Sequence, residues 1–170
     1  MKKNLMLFTS LLLMISCTQN KMAYVDVGLI MKDYKGMKAF EQHMEDETVQ
    51  LRKEIESLIE PYQLKIEAYY KDVGQMSEAR RNAAELALQE EQAAINEQQD
   101  KFMQQLEDQR LEGLEAINQE IAVFVEDYAK SKGFQIVFGT MGTGTVIYGE
   151  DKLNVTQDVL SELNRLYGGE

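Results

Sequence analysis

Hydrophobic and polar positions change their spacing several times along this chain, and each change predicts a different element. Residues 5–15 form a short, nearly continuous apolar stretch behind Lys2 and Lys3. Ala23-Tyr24-Val25-Asp26-Val27 alternates with a period of two and predicts a strand ending at Gly28. From Met37 the apolar residues recur at steps of three and four: Met37, Phe40, Met44, Leu51, Ile55, Leu58, Tyr62, Ile66, Tyr69, Val73 and Met76. That spacing puts them on one side of a helix that pairs with another helix. Leu86, Ile95, Phe102, Leu106, Leu114, Ile117, Ile121, Phe124 and Tyr128 predict the partner. Alternation returns in Phe134–Phe138 and in Thr145–Tyr148, predicting two more strands around a glycine-rich turn at 139–144. Val159, Leu160, Leu163 and Leu166 then give the stripe of a short closing helix, with Thr156 as its expected N-cap.

The helix breakers support this division. Between Met37 and Lys132 they number three: Pro61, Gly74 and Gly113. Gly74 suits a helix C-terminus and Ser77 the N-cap of the next helix, so two helices, 35–73 and 77–131, should meet in a tight turn near 74–77. Helices so long, joined so briefly, form an antiparallel hairpin. The seam has a gap at Glu47, and Pro61 beside the 4-4 step Leu58, Tyr62, Ile66 predicts a kink and a hinge. Residues 85–120 hold eight Glu and eight Gln, so this stretch favours helix by propensity but buries little apolar surface. A disordered linker would need more Pro and Ser than the segment has.

The fold class is therefore α+β, mainly α: a coiled-coil hairpin (35–131) projecting from a small body built of 22–34 and 132–170. Three strands and one helix make a marginal core for one subunit and leave sheet edges open. Several copies are expected to pool their sheets, with Val25, Val27, Ile136, Phe138, Val146 and Tyr148 in the shared core.

Composition narrows the function. One Cys excludes an internal disulfide, and one His leaves neither a zinc cluster nor a familiar catalytic constellation, so no metal, cofactor or enzymatic site is expected. His43, beside Met44, reads as a solvated helix residue, and Asp26 as a charged edge residue or a hydrogen-bonding partner. The formal charge is −11, which argues against a nucleic-acid partner.

The N-terminus reads as an address. A basic start and a short apolar run make a secretory signal over residues 1–16, too short to span a bilayer comfortably. Met14-Ile15-Ser16-Cys17 resembles a bacterial lipobox, which makes Cys17 the expected lipidation site and 17–21 a linker. Thr18 is not the Asp associated with inner-membrane retention, so the outer membrane is the expected anchor. Removing 1–16 takes away Lys2 and Lys3 and no acid, so the mature charge is −13. The expected compartment is the periplasm, where ATP is absent, and the chain has no Walker-type loop.

These segments together, and above all Val146-Ile147-Tyr148 followed by Leu153-Asn154-Val155-Thr156-Gln157-Asp158-Val159-Leu160-Ser161-Glu162-Leu163-Asn164, resemble the Skp (OmpH) family of periplasmic chaperones over essentially the whole mature chain. The resemblance implies a homotrimer with a shared β body and three helical tentacles. Such a trimer holds unfolded outer-membrane proteins in its cavity without ATP. Under it, the client-binding candidates are Tyr62, Tyr69, Tyr70, Met76, Leu86, Leu88, Phe102 and Met103, with Tyr70 and Leu88 expected to face outward and Pro61 as the hinge that adapts the cavity. Familiar members are basic and soluble, whereas this chain is acidic and carries a lipobox, so no lipopolysaccharide role is carried over. A coiled-coil lipoprotein spacer of the envelope is the alternative; it would not need the split β body.

Overall fold

A computed structural model describes residues 21–141 and 146–168. The signal peptide, Cys17 and Gly142–Thr145 lie outside the described residues. The order is β1 (Met22–Asp26), α1 (Val27–Asp33), α2 (Lys35–Asp72), α3 (Glu78–Lys132), β2 (Ile136–Thr140) and α4 (Thr156–Tyr167), with short 3-10 turns at Val73–Gln75 and Asp151–Leu153. At about 1.5 Å per residue, α2 and α3 run for roughly 57 and 80 Å.

The hairpin turns where the sequence punctuates it, but Gly74 does not cap α2: Val73, in a right-handed conformation, does so, and Gly74 lies within the 3-10 turn that follows. Ser77 Oγ accepts from the backbone N–H of Arg80 at 3.4 Å and caps α3. At the other end Gly133 adopts φ 72°, a left-handed conformation that suits glycine. The Phe134 N–H then reaches back to Ala129 O at 2.9 Å, so the last carbonyls of α3 are satisfied. Helix α2 runs unbroken through Pro61.

The strands β1 and β2 lie side by side in parallel, Met22 opposite Ile136 and Asp26 opposite Thr140. They come from opposite ends of the chain, with the hairpin inserted between them. Gln135 N–H donates to Lys21 O at 2.8 Å, and Tyr24 O accepts from Val155 N–H at 3.0 Å on the other side of β1. The core lies where this sheet meets the root of the hairpin and α4. Ala23, Val25, Ile30, Tyr34, Ile117, Ile121, Tyr128, Val155, Val159, Leu160 and Leu163 are all buried there.

Four more expectations are corrected. Val146–Tyr148 is not a strand: the polypeptide there is irregular, and Ile147 and Tyr148 are exposed within one chain. Val27, expected as the last residue of the first strand, instead opens α1, because Asp26 Oδ1 caps that helix by accepting from Leu29 N–H at 3.0 Å. The strand predicted at Phe134–Phe138 sits two residues later. Finally, Thr156 does not cap α4. Asn154 Oδ1 takes that place, accepting from Thr156 N–H at 3.0 Å and from its hydroxyl at 2.5 Å, while the Thr156 hydroxyl oxygen accepts from Asp26 N–H at 2.9 Å. One threonine thus joins β1 to α4.

Candidate functional surfaces

Two surfaces are open to partners: the sides of the hairpin and one face of the sheet. The hairpin is held by a thin apolar seam reinforced by polar ties. Leu51 and Ile95 are its buried residues away from the body. Tyr62 Oη donates to Gln92 Oε1 at 2.9 Å, Lys65 Nζ meets both Glu91 oxygens at 2.7 and 2.8 Å, and Tyr69 Oη donates to Glu85 Oε1 at 2.5 Å. The bond to Glu85 raises the Tyr69 phenol above its ordinary value. At the root, Tyr34 Oη donates to Glu120 Oε1 at 2.5 Å, and burial together with that bond pushes its phenol up strongly.

The seam register departs from expectation in two places. Leu88, expected outside, is half-buried across from the first arm, while Leu86, expected in the seam, is 57% exposed. Around Pro61, Leu58 is 40% exposed although it faces Ile95 and Phe102 across a cleft, while Ile59 is half-buried. Both shifts follow from spacing. A straight helix repeats every 3.6 residues, so a seam counted in strict heptad steps drifts away from the true facing side. Glu47 is half-buried, as its seam position implies, and Gln109 Oε1 is a buried oxygen without a hydrogen-bond partner among the described residues.

The eight client-binding candidates occupy four settings along the hairpin. Tyr62, Tyr69, Tyr70 and Leu88 converge on one cleft of about 490 Å³ near the tip, with Tyr69 and Tyr70 edge-to-face at 5.4 Å. Phe102 lines a second cleft of about 520 Å³ with Leu58 and Ile95. Met76 is half-buried at the turn. Tyr70 is 72% exposed at the rim of its cleft, whereas Met103, 64% exposed, and Leu86 stand apart from any cleft. The sequence reading passed over Leu64 and Leu111, which are also exposed; their signal was an apolar residue standing off the seam register.

The oligomer-core candidates lie on two faces of the sheet. Val25 is buried within the chain's own core, and Val25 and Val27 face Ile121 and Val125 of α3. Ile136, Phe138, Val146 and Tyr148 belong to the opposite face, which no helix among the described residues covers. Phe138, Val146 and Tyr148 line a cleft of about 440 Å³ there with Met22 and Tyr24, and Tyr148 is 84% exposed. Among the described residues there is no cluster of potential metal ligands and no helix long and apolar enough to cross a membrane.

A long helical hairpin inserted into a small body made from both chain ends defines a class of protein in which the arms, rather than a pocket, carry the accessible surface. The family model for OmpH-like outer membrane proteins matches residues 21–163, and the chain belongs to that family. The crystal structure of an OmpH-like outer membrane chaperone from Caulobacter crescentus CB15 superposes with a TM-score of 0.77, covering 88% of this chain and 86% of that one at 11% identity, so the fold is shared while the sequence has diverged. No curated protein gives a significant match.

Proposed function

We propose that this chain is an ATP-independent holdase of the bacterial envelope. It assembles as a homotrimer and keeps unfolded outer-membrane proteins from aggregating in the cavity between its hairpins. It works in the periplasm, tethered to the outer membrane through lipidated Cys17. The observation that carries the reading is the distribution of apolar side chains on the arms. Leu64, Leu86 and Met103 are exposed one at a time on a strongly charged hairpin, and Tyr70 stands out from a small aromatic cleft near its tip. Isolated side chains of this kind give no patch large enough for self-association, yet a flexible client wrapped along the arm can touch several at once. Met is unbranched and polarizable, and it adapts to varied partners. The uncovered sheet face around Phe138 and Tyr148 supports the trimer, because pooling three such faces would bury it.

The mature charge of −13 has a consequence for clients. Acidic segments are repelled at low ionic strength, and screening shortens that repulsion to about 8 Å at physiological salt. The test is to mix the delipidated protein with an unfolded outer-membrane β-barrel and follow light scattering across a salt series. Suppression of aggregation at equimolar trimer supports the holdase. No suppression at any salt leaves the spacer reading in its place, and a monomer in sedimentation removes the pooled core.

A further inference from the structure

The end of the molecule farthest from the hairpin turn has a chemistry of its own. Helix α3 runs from the tip to the body, and the chain reverses at Gly133 into β2, which returns alongside α3: Val137 and Gly139 line a groove with Ala129, Val125 and Ile121. The starts of β1 and β2 and the end of α3 therefore meet at one pole, opposite Gly74. Lys21 is fixed at that pole. Its carbonyl accepts from Gln135 N–H, its ammonium donates to Lys132 O at 2.7 Å, and it lies 4.6 Å from the centre of the Phe134 ring. Lys132, over the Tyr128 ring at 5.5 Å, and Lys21 take part in no ion pair among the described residues. Lys130 is bound to Glu126 at 2.5 Å and approaches Asp127 at 4.0 Å. Met22 and Ile136 are exposed beside them.

The rest of the molecule has the opposite character. Residues 35–131 contain 11 basic and 22 acidic side chains, so −11 of the mature −13 belongs to the hairpin. Cys17 precedes Lys21 by four residues, a reach of at most about 14 Å.

We infer that this pole is a membrane-docking surface for anionic lipid. With Cys17 in the bilayer, Lys21, Lys132, Met22 and Ile136 rest on the headgroups, and the hairpin is repelled outward, so that its open end faces away from the membrane. The inference rests on Cys17 as the lipid anchor. It adds where the body sits and which way the arms point, neither of which follows from a lipid alone, since a rod on a short tether could equally lie flat.

The experiment supplies the tether chemically. The mature chain, beginning at Cys17, is coupled through that sole thiol to maleimide lipid in a supported bilayer rich in phosphatidylglycerol and examined by neutron reflectometry. The expected profile is a dense layer against the headgroups and a dilute one reaching roughly 80 Å or more beyond it, the length of α3. Inserting a twenty-residue Gly/Ser spacer between Asn20 and Lys21 should lift and broaden the dense layer. A single layer about two helix diameters thick, roughly 20 Å, or a dense layer far from the headgroups, overturns the docking surface and leaves the anchor standing. Mass spectrometry of the chain recovered from cell envelopes reads the anchor separately: an unlipidated Cys17 overturns the tether itself.

Discussion

Gly113 gives the sharpest test of how the hairpin is packed at its root. A Cβ added there would lie 2.1, 2.4 and 2.9 Å from the Cε2, Cζ and Cδ2 atoms of Phe40. Ordinary contact begins near 3.4 Å, so the ring would have to swing by about an ångström. Overpacking of this size costs about 1–3 kcal/mol, against a gain of about 1 kcal/mol from replacing a mid-helix glycine by alanine. Gly113→Ala should therefore be neutral to destabilising by about 2 kcal/mol in the native background. With Phe40→Ala the obstacle is gone and only the propensity remains, so the same Gly113→Ala should stabilise by about 1 kcal/mol. The coupling between the two sites, about 1–3 kcal/mol, is read from a double-mutant cycle in urea melts followed by circular dichroism. If Gly113→Ala shifts the midpoint equally in both backgrounds, the ring is not seated on that glycine and the close approach of the two arms is wrong.

Burial raises the phenols of Tyr34 and Tyr128, for Tyr34 with help from Glu120 and for Tyr128 from Asp158 and Glu162. A phenol raised in the folded state contributes stability that is complete below the unfolded value near 10 and is lost as pH rises beyond it, so the body should melt progressively earlier above pH 10; in Tyr34→Phe that alkaline slope should shrink in thermal melts. Asp26→Ala removes the cap of α1 and should cost about 1 kcal/mol, visible as a lower urea midpoint. Pro61→Ala restores an N–H donor to the α2 ladder and should stabilise the arm by up to about 3 kcal/mol; if Pro61 is a hinge, it should also narrow the size range of barrels held in the scattering assay, and an unchanged range would dismiss the hinge. Changing Tyr70, Leu86 and Met103 together to Ser should weaken aggregation suppression without moving the melting temperature, because all three are exposed; an unaltered chaperone titration would show that clients bind elsewhere.

The hairpin was legible because its ends depend on local chemistry. Ser77 acts through its capping oxygen and Gly133 through its left-handed φ angle, and the two long helices follow within a residue or so, although the turn between them closes through the 3-10 turn Val73–Gln75 and not through a left-handed Gly74. The body was less legible because its decisive contacts are distant in sequence. Asp26 is the last residue of β1, as its place in the alternation implied, but that its carboxylate also caps α1 depends on where the chain turns next. Thr156 looked like a cap until its hydroxyl was found between Asn154 and the β1 backbone. Val146–Tyr148 has the alternation of a strand but pairs with no strand among the described residues. Leu86 and Leu88 show the same limit on the arms: which of two nearby leucines faces the seam depends on rotation accumulated along the helix, and counting in steps of three and four does not record it.

The parallel pairing of β1 with β2 has a consequence for the order of folding. Val25 and Thr140, joined across the sheet by a hydrogen bond at 3.3 Å, are 115 residues apart in the chain. Closing so long a flexible loop costs about 2 kcal/mol more than closing one of ten residues, and non-local pairing of this kind is slow. The hairpin offers a cheaper route. Its contacts accumulate from the turn at Gly74 outward, zipping the two arms until Lys35 and Lys132 are carried to the same end of a rigid rod. Strand β1 leaves the ribosome first, yet it has no partner until almost the whole chain has been made. The chain thus spends its own synthesis with its first strand unpaired.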